Sequence, residues 1–526
     1  MRNLVPFSLA LTDADASVSF PSKRPALVAF VKEDCPTCRE VMPVLAALRE
    51  TCLDTFDFLV IGQDRDGNRT LQAKHGFTLL DDSSLKVSFA WDIETVPTLV
   101  RTDASGRFES ELIGFVRDEW QALAKDAGGG DDSLEGRIEW VKLPAWRPGC
   151  GSKSADPLIA DRLRAESENS PLRARRIEIG QHDDEFEFMF DQGFSDGLPL
   201  IPPTPERVIR MLSGTSRDPQ DVVAEVPPNM GIATVEKVAV NAVMAGCRPE
   251  YFPVVLAAVE AVCNEQYNIH GVMATTMGAS PVLVVNGPIR HRIGMNMKLG
   301  ALGQGNRANA TIGRAVRLAV RNIGGAKPGG TERSTLGNPM KFTMCFAEWE
   351  ERSPWEPLHV ERGFKAEESV VTAYTASSGP VLMVDQDSRT AAQLAGSFGL
   401  ALESVFAVKA HYATDTLLVI VPEHVDTLKR DGYTKADIRK RIQEVSSRPV
   451  SELLANDISA TGFKAEYAHG KSAADLAKRI PKFRRDEDIL IAVAGSEAGK
   501  FSGAFHGWAT GAIGSVPVSK AIDPWM

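Results

Sequence analysis

The chain has 526 residues, 43% of them hydrophobic and 24% charged, with a formal net charge of −10. That length allows about two to four domains with sizeable cores. The mild acidity, without a basic stripe, argues against nucleic acid as a partner. No apolar run approaches the roughly 18–20 residues of a membrane span, so no membrane partner is expected.

The amino terminus carries one early arginine and a short apolar stretch soon broken by Asp13 and Asp15, which does not read as a signal peptide. Seven cysteines, an odd number spread over a long chain, do not form the framework of an oxidised secreted protein. The expected setting is the cytoplasm, where paired cysteines are catalytic or metal-binding.

The first predicted element is a buried strand over the apolar run Ala26-Leu27-Val28-Ala29-Phe30-Val31, and it runs into Cys35-Pro36-Thr37-Cys38. A helix beginning at the first cysteine aims its open N–H groups and positive dipole end at that sulfur. The thiolate is the reactive form, and the second sulfur, one turn on, can resolve a mixed disulfide. Further along, Thr95-Val96-Pro97-Thr98 lies in an apolar segment followed by the turn Asp103-Ala104-Ser105-Gly106-Arg107 and a strand-like stretch to Gly114.

Together these segments resemble the thioredoxin family over roughly the first quarter of the chain. The resemblance implies that Cys35 attacks, that Cys38 resolves and that Pro97 is a cis proline facing the dithiol. Three departures stand out. Ala29 replaces the family's buried aspartate, so resolution at Cys38 needs water or another base. Asp34 replaces a tryptophan, and a carboxylate there is expected to raise the Cys35 pKa against the helix terminus. The inner pair is Pro36-Thr37, closer to the glutaredoxin order.

The expected architecture is α/β: a thioredoxin-like N-terminal domain over residues 1–127, a linker and charged connector over 128–187, and a larger α/β domain over 188–526. Gly128-Gly129-Gly130-Asp131-Asp132 marks the linker. The second domain opens on the proline-rich loop Ser195 to Pro205, and Thr204 is expected to cap a helix with Pro205 at its first position. Helices are predicted over Val235 to Cys247, Phe252 to Cys263 and Ala308 to Asn322. Strands are predicted over Pro281 to Val285, Val381 to Val384, Leu417 to Val421 and Ile489 to Val493. This part resembles an uncharacterised bacterial protein family through Ser195-Asp196-Gly197-Leu198-Pro199, Ala239 to Cys247 and Ser353 to His359, a resemblance that implies no activity.

Chemistry in the second domain is weighed residue by residue. Gly495 to Ser502 imitates a phosphate loop, but its glycines are too close and Phe501 fills the Ser/Thr position, leaving at most an anion-binding turn around Lys500. Gly303-Gln304-Gly305 lacks the preceding strand of a dinucleotide fingerprint. Asn306, Arg307, Asn309 and Arg314 at a helix start, with Lys500, are the candidate ligand-binding residues. His270, His359 and His506 are the candidate ligands for a metal ion, against the commoner reading of structural histidines. Cys247, Cys263 and Cys345 read as core, whereas Cys150, in a glycine-flanked turn, is a third redox partner or a plain surface thiol.

The function expected is thiol–disulfide oxidoreduction by Cys35 and Cys38 on a thiol or disulfide partner, coupled to the second domain. The alternatives are a metal- or anion-dependent lyase or hydrolase in the second domain with the first part regulatory, and a non-enzymatic interaction protein.

Overall fold

The computed structural model describes residues 4–52, 54–127, 137–180, 183–511 and 514–526. Its contacts divide the chain into two units, Met1–Ile177 and Glu178–Met526. The glycine and aspartate run expected as a linker, Gly128 to Asp132, lies outside the described residues.

A short hairpin, β1 (Phe7–Ala10) and β2 (Ser17–Phe20), opens the first unit. β3 (Ala26–Val31) follows and is buried at every residue, as its unbroken apolar run requires of a strand covered on both faces. It is the centre of a five-stranded sheet in the order β5 (Leu80–Asp81), β4 (Asp57–Gly62), β3, β7 (Thr98–Thr102) and β8 (Phe108–Ile113). β3, β4 and β5 are parallel; β7 runs antiparallel to β3, and β8 antiparallel to β7. The two-residue strand β6 (Thr95–Val96) sits just before β7.

Helix α1 (Pro36–Cys52) leaves the carboxyl end of β3 through a four-residue turn. α2 (Arg65–His75), α3 (Lys86–Ala90) and α4 (Arg117–Ala127) follow. α4 closes the fold: Trp120 is 1% exposed and donates its indole N–H to the Gly114 carbonyl at 3.1 Å. This is a thioredoxin-like fold.

Residues 137–177, expected to act as connector, fold with the first unit instead. Strand β9 (Phe115–Val116) pairs with β10 (Trp146–Arg147), and β11 (Cys150–Gly151) pairs with β6, both antiparallel. The physical reason is that β6 and β9 have open edges, whose N–H and C=O groups must be paired or solvated. Helix α5 (Pro157–Ser167) completes the unit.

The second unit is built on a mixed seven-stranded sheet, making it the expected α/β domain. Its order is Cys345–Ala347, Ser280–Asn286, Val370–Val384, Phe501–Ala509, Thr414–Ile420 and Ile489–Val493, with Val518–Ala521 also on the long Val370–Val384 strand. Each predicted strand is present. The one expected over Val381 to Val384 is the end of a 15-residue strand whose register shifts between Ser378 and Val381, across Gly379-Pro380. The helices occupy Val235–Ala245, Phe252–Val262 and Arg307–Asn322. Pro205–Leu212 is helical with proline in its first turn, but Thr204 makes no side-chain cap bond.

The first hairpin is held by one aromatic cluster. Trp91, 1% exposed, lies 5.6 Å from Phe7, 5.0 Å from Phe20 and 5.6 Å from Phe30 between ring centroids, and donates to the Val5 carbonyl at 2.9 Å. Trp91→Ala is expected to destabilise the first unit by about 3–5 kcal/mol, measured by denaturant unfolding. An unchanged midpoint would mean the hairpin is not anchored there.

Candidate functional site

Cys35 occupies the position before the first helical residue of α1, and Pro36 takes the place where a missing N–H costs nothing. The N–H of Cys38 donates to the Cys35 sulfur at 3.3 Å, and Cys35 as a thiol donates to the Val96 carbonyl at 3.4 Å. The Val96-Pro97 bond is cis, as the resemblance implied. The Pro97 carbonyl accepts from Gly114 N at 2.8 Å, so the loop before β7 is fixed on its far side too. Helix head and proline loop therefore meet at one sulfur.

The electrostatics follow from those donors. Hydrogen bonding from the Cys38 side chain, supported by the side chain and backbone of Cys150 and opposed by burial, lowers the Cys35 pKa to about 5. Cys38 moves the other way: burial, then its bond to Cys35, raise it far above the ordinary thiol range. Ala29, 1% exposed and in register with Leu99, brings no carboxylate to that buried thiol. At neutral pH the pair is thus a Cys35 thiolate beside a Cys38 thiol. This is the division of roles that thiol–disulfide exchange requires.

Asp34 is not among the largest influences on Cys35. Its exposed carboxylate lies 3.5 Å from Lys32 Nζ, and the groups that set the Cys35 pKa are Cys38, burial and Cys150. The further contributor is Cys150, weighed from the sequence as a third redox partner or a plain surface thiol. Its place opposite Val96 in β11 brings it to Cys35, and only the pairing of two-residue strands, invisible to sequence periodicity, puts it there. Both Cys35 and Cys38 are fully buried, beneath the segment that carries Cys150.

In the second unit, the candidate ligand-binding residues are largely engaged in holding the fold. Asn306 caps its helix by accepting from Asn309 N at 3.0 Å, and Asn309 donates to the Asn296 and Ala301 carbonyls. Arg314 grips Asp196 through two bonds of 2.9 and 2.7 Å. Lys500 donates to the Gln386 carbonyl at 3.2 Å, and Gly499 N is taken by the Glu423 carboxylate at 2.6 Å, so an acid fills the turn expected to hold an anion. Arg307 donates to the Gly246 carbonyl at 2.9 Å and also lines a cavity of about 300 Å³ with Arg207, Arg210 and Arg248. No carboxylate lines that cavity.

The three candidate metal-binding histidines stand on separate elements. His270 is exposed on a short helix, His359 is fully buried with neither ring nitrogen bonded, and His506 lies within the Phe501–Ala509 strand. Among the described residues no three His, Cys, Asp or Glu side chains form a group able to hold a metal ion. Sequence reasoning also missed a buried knot: Glu348 accepts from Asn286 at 2.7 Å and from Leu358 N at 2.8 Å, and its carbonyl accepts from Arg290. Burial raises the Glu348 pKa.

No protein-family model and no curated protein matches this chain. Among solved structures, it is similar to a secreted Mycobacterium tuberculosis disulfide oxidoreductase homologous to E. coli DsbE, with 19% identity over 23% of this chain and 95% of that one and a TM-score of 0.21. StoA from Bacillus subtilis gives 18% identity over 23% of this chain and 99% of that one, TM-score 0.21. MTB dsbF in its mixed oxidized and reduced forms gives 20% identity over 23% and 94%, TM-score 0.21. These likenesses span the N-terminal quarter only; the resemblance of the second unit to a bacterial family finds no counterpart among them.

The site yields a titration. In the reduced protein, ultraviolet thiolate absorbance is expected to show one thiol ionising near pH 5, lost in Cys35→Ser. Cys150→Ala removes a donor to the thiolate and is expected to move that midpoint up by about one pH unit, equivalent to about 1.4 kcal/mol. Asp34→Trp leaves it in place. A midpoint that follows Asp34 and ignores Cys150 would reverse this account.

Proposed function

We propose that the first unit is a thiol–disulfide oxidoreductase in which Cys35 is the attacking thiolate and Cys38 the resolving thiol. The observation that carries the reading is the Cys35 sulfur at the head of α1, receiving the Cys38 N–H at 3.3 Å and held with a pKa of about 5 beside the fully buried Cys38. The substrate class is a disulfide in a protein or small molecule. The Cys35 thiolate attacks one sulfur of that disulfide and expels the other as a thiolate. Cys38 then attacks Cys35, forms the Cys35–Cys38 bond and releases the second substrate thiol, its own proton passing to that leaving sulfur.

The test is dithiol-driven reduction of a disulfide protein by the full chain. Turnover is expected in the unsubstituted chain and absent in Cys35→Ser, whereas the chain carrying both Cys38→Ser and Cys150→Ser accumulates disulfide adducts at Cys35. Turnover that survives Cys35→Ser would end the reading.

A second reading concerns the other unit, which we infer to bind a small anion in the cavity between Arg207, Arg210, Arg248 and Arg307. Four guanidinium groups around one space with no lining carboxylate favour it. Calorimetric titration with inorganic phosphate or citrate is expected to show binding that weakens at least about tenfold in Arg210→Ala, the loss of one charge-assisted contact. Equal heats for the two proteins would remove this reading.

A further inference from the structure

β6 is two residues long and lies beside the Cys35 sulfur, since the Val96 carbonyl is 3.4 Å from it. An open strand edge beside a reactive thiolate is the natural seat for an extended peptide, which adds to it by backbone pairing. In this protein the seat is taken by the chain itself. Cys150 is in antiparallel register with Val96, and Gly151 with Thr95. The cysteine therefore sits where a substrate's cysteine would be presented, opposite the Val96 whose carbonyl lies 3.4 Å from the Cys35 sulfur.

The flanks show that the placement is built. Ahead of Cys150, Thr37 of α1 donates to the Pro148 carbonyl at 2.7 Å, and Arg147 pairs with Glu40 at 3.2 Å. At Gly149 a Cβ would stand 2.2 Å from the Thr95 methyl and 2.7 Å from the Val96 carbonyl oxygen, so the strap lies against β6 at a distance only glycine permits. Behind it, Ser152 N donates to the Glu94 carbonyl at 2.8 Å, and the Ser152 hydroxyl accepts from Gln63 at 2.6 Å.

We propose that residues 146–152 are an internal substrate strand and that Cys150 is a third redox cysteine, which forms a disulfide with Cys35. This rests on the reading of Cys35 as the attacking thiolate. The balance is closed by a disulfide oxidant. The Cys35 thiolate attacks the oxidant, forming a mixed disulfide and releasing one thiolate. The Cys150 thiolate then attacks Cys35, forming the Cys35–Cys150 bond and expelling the second thiolate, while the proton of Cys150 goes to solvent. Two protein thiols are oxidised and one disulfide is reduced. Starting instead from Cys35–Cys38, attack by Cys150 on Cys35 expels Cys38, which takes up a proton, with no net redox change.

Two features favour Cys150 over Cys38 as the attacking group in the second step. Cys38 is fully buried beside Ala29, with no carboxylate to take its proton, whereas Cys150 is only partly buried. The strap is also tethered, so its cysteine acts at an effective concentration of order millimolar or above and competes with any outside thiol.

The experiment uses the full chain with Cys38→Ser, reduced, treated with glutathione disulfide, blocked by alkylation and mapped without reduction. The expected product is a peptide pair joined through Cys35 and Cys150, with glutathione released. If Cys35 instead retains glutathione while Cys150 is alkylated, the internal strand is overturned and Cys35 reactivity stands. If Cys35 remains a thiol, both fail together. In the unsubstituted chain the same mapping is expected to give the Cys35–Cys150 pair beside Cys35–Cys38, so the result does not depend on how Cys38→Ser folds. Gly149→Val, which cannot seat on β6, is expected to cut the Cys35–Cys150 yield at least tenfold; an undiminished yield would also overturn the proposal.

Discussion

Everything in the first unit depends on two elements being hung from one strand. β3 is buried on both faces, so its end is fixed; α1 starts four residues beyond it, and β7 pairs with it from Phe30–Thr98 to Ala26–Thr102. The helix head and the Thr95-Val96-Pro97 loop are therefore not two features that meet by chance. They are the continuations of neighbouring strands, and the Cys35 sulfur lies where they converge. A shift of either strand by one residue would turn its side chains to the other face and separate the sulfur from its donors.

Ala29, on the same buried strand, places no carboxylate there. In an apolar interior Cys38 keeps its proton, because ionising it would bury a charge without a partner. A protonated Cys38 is a permanent donor to Cys35, and this donor is the largest influence holding Cys35 ionised. The same apolar surroundings that hold the proton on Cys38 therefore keep a donor on Cys35. The protein is asymmetric by construction: a ready thiolate, and a second thiol that gives up its proton reluctantly.

How much of this was legible in the chain depended on range. The buried strand, the dithiol and Pro97 are local patterns, and each lies where the pattern placed it. The charged stretch after residue 137 read as connector because two-residue strands have no periodicity, and their partners, Val96 and Phe115, lie tens of residues upstream. Asp34 is adjacent to Cys35 in sequence, yet its carboxylate lies 3.5 Å from Lys32 and its charge bears on Cys150. In the second unit the core strands were readable from their apolar runs, yet the first half of the longest one was not. Thr372, Thr375, Ser377 and Ser378 interrupt its pattern, and they are satisfied by distant partners such as Ser519, Ser515 and the His506 carbonyl.

The polar residues of the second unit show why composition around a glycine loop is a poor guide to a binding site. Asn306 and Asn309 are spent on a helix cap and loop carbonyls, Arg314 on Asp196 more than a hundred residues away, and Gly499 on Glu423. The glycines answer to backbone geometry: Gly495 and Gly499 have φ of 120° and 118°, and a Cβ on Gly287 would stand 2.1 Å from the Glu368 carbonyl oxygen. What distinguishes a ligand site from such a network is charge left without an opposite charge. Arg290 is paired with Glu350 and Glu351, and Glu332 is held by Lys341 and Arg317, so those groups balance within the fold. Among the described residues no acid lines the space between Arg207, Arg210, Arg248 and Arg307, and this distribution of charge is what the anion-binding proposal rests on.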